Sequence, residues 1–363
     1  MKKLNILIIS RNILPKNSPR AFRATELATE LARQGHSITL YSILGSYDYS
    51  KYEEETGVKV RNMGKMLFAT HDSDGDFRYT LLDKILYHSL HRLIEFPDIE
   101  LMFRVPCIIR KEREMDLLIT IASPHAIHWG GALARTLIPD SKFPKIWVAD
   151  CGDPYMGNSI ENNKFSYFKY VEKWWGSKAD YITIPLEEGK EGYYREFHSK
   201  IKVIPQGFDF SKVKLAKPYV RNVIPSFAYA GTIYLGKRDP KSLLDFLILI
   251  ERDFRFVIYT NTPDYYSGYK KKLKEKLAIK PYVPRDRLIF ELSQMDFLIN
   301  LKNPDRRQSP SKIIDYLLSQ RPIVNISSDF PEHERNVFLE FIHGDYTHRL
   351  KNSNIDQYNI QNV

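Results

Sequence analysis

The feature that most constrains the fold is an alternation of short apolar runs with longer amphipathic segments. Leu4–Ile9 is a short apolar run, and the apolar residues from Ala24 to Ala32 recur at helical spacing. This alternation is typical of a parallel sheet covered by helices, a Rossmann-like domain. The first series predicts strands at Leu4–Ile9, Ser37–Tyr41, Val58–Arg61, Leu117–Ile121, Ile146–Ala149, Tyr181–Ile184 and Lys202–Ile204.

A second alternating series follows a segment rich in turn formers and lysines. It predicts strands at Ser226–Ala230, Phe256–Tyr259, Phe297–Leu301 and Ile323–Ile326, and helices at Pro240–Ile250, Tyr269–Leu277, Arg285–Met295 and Ser311–Ser319. We therefore predict an α/β protein of two Rossmann-like domains, 1–206 and 226–363, joined by a linker over 207–225. Ligands of such domains bind at the carboxyl ends of the strands, which face an interdomain cleft.

The segment between residues 63 and 115 departs from this alternation. The stretch LLDKILYHSLHRLIEF is helical and amphipathic in pattern. It predicts a helical insertion that covers the sheet. Its basic and aromatic residues also suit a helix on the acceptor side or at a membrane surface.

Charge and cysteine content narrow the partners and the compartment. The chain has 54 Lys and Arg against 44 Asp and Glu, a net charge of +10, which favours anionic partners such as nucleotides, phosphates or an acidic membrane. No nucleic-acid-binding module is recognisable, so no nucleic-acid partner is predicted. The two cysteines form no disulfide framework, which indicates a cytoplasmic protein. No apolar stretch has the length of a membrane span, so any contact with the inner face of the membrane is expected to be peripheral.

The strongest local signal for a binding site is the segment SPSKIIDYLL. Ser309 suits a helix N-cap and Pro310 the first helical position. The helix start at Ser311 would offer backbone N–H groups to a diphosphate, and Lys312 adds a positive charge there. Asp315, one turn further, is placed to accept hydrogen bonds from a ribose. The alternative is an ordinary capped helix with an exposed lysine and aspartate.

A second signal is the loop after the predicted strand Ser226–Ala230. Gly231 and Thr232 begin it, and Lys237 and Arg238 follow before the next helix. Glycine lets the backbone approach a ligand closely, and the two cations suit phosphate oxygens. The alternative is a basic turn exposed to solvent, which would show the same sequence pattern.

The loop after the first strand has a comparable composition. Ser18 followed by Pro19 marks a helix start, and Arg20 and Arg23 fall within its first two turns. We expect these residues to face a bound phosphate or an acceptor. A surface salt bridge is the alternative for Arg23.

Histidines and carboxylates follow two further strands. His125, Asp150 and Asp153 are candidates for acid–base catalysis or for holding ligand hydroxyl groups. His128 would share a helix face with His125 and is a candidate contact for the acceptor or a phosphate. A zinc site would need a third ligand, and none occurs at a suitable spacing. For one of the two histidines, the alternative is a partly buried side chain whose hydrogen bonds are made within the protein.

An aspartate-rich segment imitates a metal site. Asp72, Asp74 and Asp76 have the spacing of a calcium loop, but its sixth position holds Phe77 where glycine is needed. No apolar strand precedes the segment, so we interpret it as a polar loop. Neither a metal nor another cofactor is predicted.

Taken in order, several segments resemble glycosyltransferase family four, the group 1 transferases of polysaccharide and lipopolysaccharide biosynthesis. The resemblance covers most of the chain. WVADCGDP is similar to the family's Asp-x-Arg-Asp-Pro element, with Gly152 in place of the arginine. The other matching segments are SPRAFRATELATELARQGHSITLYS, ADYITIP, IKVIPQGFD, YAGTIYLGKRDP and SPSKIIDYLLSQRPIV.

This resemblance implies a GT-B fold and metal-independent transfer of a sugar from a nucleotide-sugar to a lipid-linked or polysaccharide acceptor, with retention of configuration. It assigns the donor to the carboxyl-terminal domain and the acceptor to the amino-terminal one. Lys312 and either Lys237 or Arg238 would neutralise the leaving nucleoside diphosphate. Asp315 stands at the family's second glutamate, which holds the ribose.

One departure keeps other functions open. The position eight residues before Asp315, commonly glutamate in the family, is Arg307. A nucleotide-sugar epimerase of the same architecture is one alternative. A non-catalytic GT-B scaffold that binds nucleotide-sugar or a partner transferase is the other.

Overall fold

The chain divides into two compact units, Met1–Phe208 and Asp209–Asn362. The computed structural model describes residues 2–68, 81–157, 164–216, 218–233, 235, 238–302, 312–351 and 354–363, except for the side chains of 81–84. Each unit is a parallel sheet with helices packed on it. The linker predicted over 207–225 stays a prediction.

Within the described residues, the first unit has a seven-stranded sheet in the order β3-β2-β1-β4-β5-β6-β7. All neighbouring strands are parallel. The strands are β1 (Asn5–Ser10), β2 (Ser37–Ser42), β3 (Lys59–Asn62), β4 (Leu117–Ile121), β5 (Ile146–Asp150), β6 (Tyr181–Ile184) and β7 (Ile201–Val203). The helices are α1 (Pro19–Arg33), α2 (Ser50–Thr56), α3 (Leu81–Ile94), α4 (Glu100–Lys111), α5 (Ala126–Leu137) and α6 (Phe168–Lys178).

Both faces of this sheet are buried, which explains why its central strands are continuous apolar runs. Successive side chains of β1 point to opposite faces. Ile6 and Ile8 pack in a cluster with Ala24 and Ala28 of α1. Leu7 and Ile9 belong to a second cluster, which includes residues of α4 and α5.

The second unit has a five-stranded sheet, in the order β10-β9-β8-β11-β12, within the part of the chain described. Its strands are β8 (Ser226–Ala230), β9 (Arg255–Tyr259), β10 (Leu277–Lys280), β11 (Phe297–Leu301) and β12 (Ile323–Ile326). Its helices are α7 (Lys241–Leu249), α8 (Ser267–Leu273), α9 (Arg285–Leu292), α10 (Lys312–Leu318) and α11 (Glu332–His343). Phe227 stacks on Phe256 and Phe297 of the flanking strands, with ring centroids 4.9 and 4.8 Å apart.

The predicted helix Tyr269–Leu277 is wrong at its carboxyl end. Helix α8 ends at Leu273, and Leu277 begins strand β10, whose Leu277 pairs with Phe256 of β9. The lysine-rich stretch before it satisfies a helical pattern, but burial of Leu277 against β9 decides the local structure. The pairing adds an edge strand to the sheet.

The predicted helical insertion forms α3 and α4. Helix α4 packs closely on α5, because Gly130 of α5 has no side chain where Val105 of α4 approaches; a Cβ there would lie 2.6 Å from the Val105 Cβ. Buried residues of α4 share a cluster with Leu7 and Ile9 of β1, so α4 packs on this face of the sheet. Helix α3 leaves Ile85 and Leu86 more than half exposed. Among the described helices, none has the length and apolar character needed to traverse a bilayer.

One buried carboxyl group makes the stability of the first unit depend on pH. Burial raises the pKa of Glu172 in α6 to about 7, against the opposing effect of backbone N–H groups of Met156 and Tyr155. The folded protein therefore holds a proton that the unfolded chain releases near pH 4. The free energy of unfolding should fall as the pH rises from about 4 to 7.

We predict that Glu172→Gln stabilises the first unit at pH 8 by up to about 3 kcal/mol and has little effect near pH 4. All four tryptophans lie in this unit, so urea unfolding followed by tryptophan fluorescence reports on it alone. Glu188→Gln, at an exposed position, is the matched control. If the Glu172 substitution changed the free energy of unfolding equally at both pH values, the link between stability and protonation of Glu172 would be contradicted.

Candidate functional site

In the second unit, the strand order reverses between β8 and β11. The crevice at the carboxyl ends of the strands beside such a reversal is where open α/β sheets bind ligands. Gly231 follows β8 directly, and α10 follows β11 in the chain. Parallel pairing of β8 with β11 brings both connections to the same edge of the sheet. The sequence-predicted donor residues belong to these two connections.

Lys312 is the first residue of α10 and the central charge of this edge. Its Nζ atom is buried and makes no hydrogen bond to any residue that the structure describes. The ammonium lies over the Tyr229 ring, 4.3 Å from the centroid. Burial, with the nearby charge of Arg238, holds the pKa of Lys312 well below its ordinary value. The alternative of an exposed lysine at an ordinary helix start is therefore inconsistent with the structure.

Gly231 and Thr232 lie against this lysine. Gly231 has a φ of +147°, and a Cβ at this position would lie 3.4 Å from the Cδ of Lys312. Arg238 donates from Nη2 to the Thr232 carbonyl at 2.9 Å, and the Tyr229 hydroxyl donates to the same oxygen at 3.0 Å. The structure thus brings together Gly231, Thr232, Arg238 and Lys312. Lys237, Arg307, Ser309, Pro310 and Ser311, like the aspartates Asp72, Asp74 and Asp76, lie outside the described residues.

Asp315 has a protein partner that the sequence did not reveal. Arg285 of α9 donates from Nε to its Oδ1 at 2.6 Å, and both side chains are mostly buried. Burial raises the pKa of Asp315, and Arg285 opposes the rise. Because the two residues are 30 positions apart, no local motif links them. The predicted ribose contact would have to share this carboxylate with Arg285.

In the first unit, Arg23 and Asp150 form a buried ion pair. The Arg23 Nη2 donates to Oδ1 of Asp150 at 2.9 Å, and its Nη1 donates to the Pro205 carbonyl at 2.8 Å. Thr183 donates to the same carboxylate at 2.7 Å. Burial raises the pKa of Asp150, but Arg23 and these hydrogen bonds outweigh it, and the pKa lies below its ordinary value. This geometry favours positioning roles over the predicted phosphate and acid–base roles.

The other predicted residues of the amino-terminal edge differ in accessibility. Ser18 is the N-cap of α1, as predicted, and its hydroxyl accepts from the Ala21 N–H at 3.2 Å. Arg20 follows in the first turn, with Nη1 3.8 Å from Oδ2 of Asp150. Asp153 is exposed in the loop after β5.

The two histidines occupy different environments, although both are buried. His128 has Nδ1 2.8 Å from the Thr120 hydroxyl and Nε2 3.3 Å from the Cys151 sulfur, so both ring nitrogens are engaged within the core. The predicted acceptor contact of His128 is inconsistent with this arrangement. His125 packs against the Tyr155 ring at 4.7 Å, and its buried Nε2 has no hydrogen bond to any described residue.

Burial lowers the pKa of both imidazoles, that of His128 to about 3 and that of His125 well below its usual value. Both rings are therefore neutral near pH 7. The buried Nε2 of His125 has no hydrogen-bond partner among the described residues, and the catalytic role of His125 stays a prediction.

Among the described residues, His125, His128 and Cys151 place possible ligand atoms within 4.8 Å of one another. Cys151 is the third group that sequence spacing did not reveal, because it comes from the adjacent strand. However, its sulfur already contacts His128, and burial raises the pKa of the thiol, which disfavours the thiolate that metals bind. Positive charges of Lys164 and Arg20 also act on His125. Cys151 and His128 therefore form a thiol–imidazole contact. The protonated thiol and the nearby positive charges do not favour a metal ion here.

Comparison with known proteins establishes the fold. No protein-family model and no curated protein matches the chain in sequence. A glycosyltransferase from Rickettsia africae ESF-5 matches with a TM-score of 0.63 at 14% identity, covering 99% of this chain and 95% of that chain. HepE from Anabaena, solved with UDP and glucose, gives 0.60 at 12% identity, with 99% and 94% covered. The chain has the GT-B fold.

The predicted fold class is thereby confirmed, whereas membership of family four stays a prediction. A UDP-N-acetylglucosamine 2-epimerase also has a similar structure, with a TM-score of 0.56 at 10% identity and 99% and 93% covered. Glycosyltransferases and an epimerase thus both resemble this GT-B chain, and at these identities the likeness concerns the fold alone.

We predict that Arg23→Met destabilises the amino-terminal unit by about 3–5 kcal/mol, because it leaves the Asp150 carboxylate buried beside an apolar side chain. Arg61→Met is the control: it removes the ion pair of Arg61 with Glu53 in the same unit, whose side chains are 49% and 37% exposed, and should cost less than about 1 kcal/mol. Urea unfolding followed by tryptophan fluorescence measures both. Equal losses in the two variants would contradict the buried pair's importance.

Proposed function

We propose that this protein is a glycosyltransferase that takes its sugar from a nucleotide-sugar, and that its carboxyl-terminal unit holds the donor's diphosphate at Lys312. The observation that carries the proposal is the buried Lys312 ammonium, which has no hydrogen-bond partner among the described residues. A buried charged group is stable only with a partner, or it loses its charge. A dianionic diphosphate supplies that partner.

The neighbours of Lys312 support a phosphate ligand. Arg238 adds a second cation, with Nη2 directed to the Thr232 carbonyl. Gly231 has no side chain to keep a ligand from its backbone. Two cations beside a phosphoryl group stabilise the charge that develops on the leaving diphosphate, which is the main electrostatic task in this transfer. Lys237 remains the alternative second cation.

The remaining parts of the proposal concern the acceptor and the chemistry. We assign the ribose to Asp315, held by Arg285, and the acceptor to the amino-terminal unit, where His125 is the candidate contact for reacting groups. The acceptor class is a lipid-linked glycan or polysaccharide, including lipopolysaccharide. Transfer would be metal-independent and retaining. The exposed apolar residues of α3 would contact the inner face of an anionic membrane peripherally.

A nucleotide-sugar epimerase is the second candidate, favoured by the structural similarity to a UDP-N-acetylglucosamine 2-epimerase. Epimerisation needs no acceptor. Incubation of nucleotide-sugars without acceptor, followed by chromatography of the sugar products, separates the two functions. A new epimer would replace the transferase proposal. Nucleotide-sugar binding without any turnover, with or without glycan acceptors, would favour the non-catalytic scaffold.

We predict that one of UDP, GDP, ADP or dTDP raises the midpoint of thermal unfolding, because a ligand that binds only the folded state stabilises it. Lys312→Met should lower the affinity for that nucleotide by at least tenfold, since a charge-assisted hydrogen bond contributes about 1.5–3 kcal/mol. Lys241→Met, an exposed lysine at the start of α7, is the matched control and should bind normally. An unchanged affinity in Lys312→Met would refute the site.

We also predict that nucleoside diphosphate binding is coupled to proton uptake. The pKa of Lys312 is lowered by burial and by Arg238, and a bound diphosphate would raise it again. Between these two pKa values, binding takes up a proton, so affinity falls as the pH rises through that window. Calorimetry in buffers with different ionisation enthalpies measures the uptake. Binding without a proton change in the wild type, or uptake retained in Lys312→Met, would contradict this assignment.

A further inference from the structure

Arg20 of α1 occupies space that a side chain at position 152 would need. A Cβ built on Gly152, in the loop after β5, would lie 2.4 Å from the Arg20 Cζ and 2.5 Å from its Nη2. The φ of Gly152 lies outside the left-handed region, so its backbone conformation does not require glycine. A side chain at position 152 would therefore displace the Arg20 guanidinium from its place.

Arg20 has no closely hydrogen-bonded carboxylate among the described residues. The Asp150 carboxylate already forms close hydrogen bonds with Arg23 and Thr183, and the Arg20 Nη1 lies 3.8 Å from its Oδ2. In the part of the chain that the structure describes, the Arg20 guanidinium makes no hydrogen bond within normal distance, although its side chain is only 20% exposed.

Other groups at this edge suit the same kind of ligand. Arg20 lies in the first turn of α1, a 15-residue helix capped by Ser18, where helix N–H groups and the helix dipole favour negative charge. The buried Nε2 atom of His125 also has no hydrogen-bond partner among the described residues.

We propose that Arg20, held over Gly152, is an oxyanion-binding residue of the amino-terminal unit. Its ligand is an acceptor group that receives two parallel N–H hydrogen bonds, a phosphate or a sugar carboxylate, since a guanidinium matches the geometry of both. The statement that this anion belongs to the acceptor rests on the proposed function. The anion site itself depends on Arg20 and Gly152 alone.

The test measures binding of inorganic phosphate to the full-length chain by the line width of its ³¹P NMR signal, in the Lys312→Met background to remove the donor site. Arg20→Gln should weaken binding about tenfold or more. Gly152→Ala should weaken it comparably, because the added methyl group displaces the flexible end of Arg20.

Two controls exclude trivial causes. Arg33→Gln, at an exposed arginine of the same helix, should leave phosphate binding unchanged. Tryptophan-detected urea unfolding should show that Arg20→Gln and Gly152→Ala keep the stability of the amino-terminal unit. A parallel titration with sodium glucuronate, followed by its ¹H signals, tells whether carboxylate or phosphate is preferred.

Phosphate binding that is equal in the parent and in Arg20→Gln would overturn the proposal, as would a parent that binds neither phosphate nor glucuronate. Unchanged binding in Gly152→Ala would refute the steric coupling of the two residues. Titration with the nucleotide that raises the midpoint of thermal unfolding keeps this test separate from the proposed function: that nucleotide should bind Arg20→Gln normally and bind Lys312→Met at least tenfold more weakly. If phosphate binds as expected but no nucleotide binds, Arg20 remains an anion site and the transferase proposal is rejected.

Discussion

Parallel pairing of the strands is the constraint on which the candidate sites depend. It places the carboxyl ends of all strands of a sheet at one edge, so residues far apart in sequence meet there. Asp150 and Thr183 pair in register at the ends of β5 and β6, and Arg23 reaches them from the helix after β1. In the second unit, the same geometry brings Gly231 and Lys312 together across 81 positions of sequence.

The two sheet edges differ in how their buried charged groups are paired. In the amino-terminal unit, Arg23 is matched by Asp150, and removal of either partner would leave a buried charge alone. In the carboxyl-terminal unit, Lys312 packs on the Tyr229 ring, and burial together with the charge of Arg238 depresses its pKa. A fold that was optimised only for stability would not bury an amine in this way. Such departures are concentrated at sites that bind ligands.

The sequence predicts the buried strands well because each is a continuous apolar run with both faces covered. Leu117–Ile121, Ser226–Ala230 and Phe297–Leu301 have the predicted bounds. Strand β10 escaped prediction because one buried residue, Leu277, decides it within a lysine-rich stretch. The candidate residues of the donor edge were also predicted, since glycine and cations after strands leave a local signature.

Contacts between distant elements were beyond sequence reasoning. The Arg285–Asp315 ion pair, the contact of Cys151 with His128 and the guanidinium over Gly152 each join different elements. Nothing in the local pattern of either partner specifies the other, because strand order and helix packing set these distances. Burial also changed the meaning of single residues: His128 is a core side chain, and Lys312 is enclosed where an exposed lysine would have fitted the pattern.

The central claim is that a nucleoside diphosphate binds at Lys312, and a crystal structure of the full chain with the nucleotide that stabilises it most tests this directly. The account predicts a phosphate oxygen within hydrogen-bond distance of the Lys312 Nζ, with the diphosphate against the backbone at Gly231. A nucleotide bound elsewhere, with Lys312 still lying over the Tyr229 ring and contacting no phosphate, would contradict it.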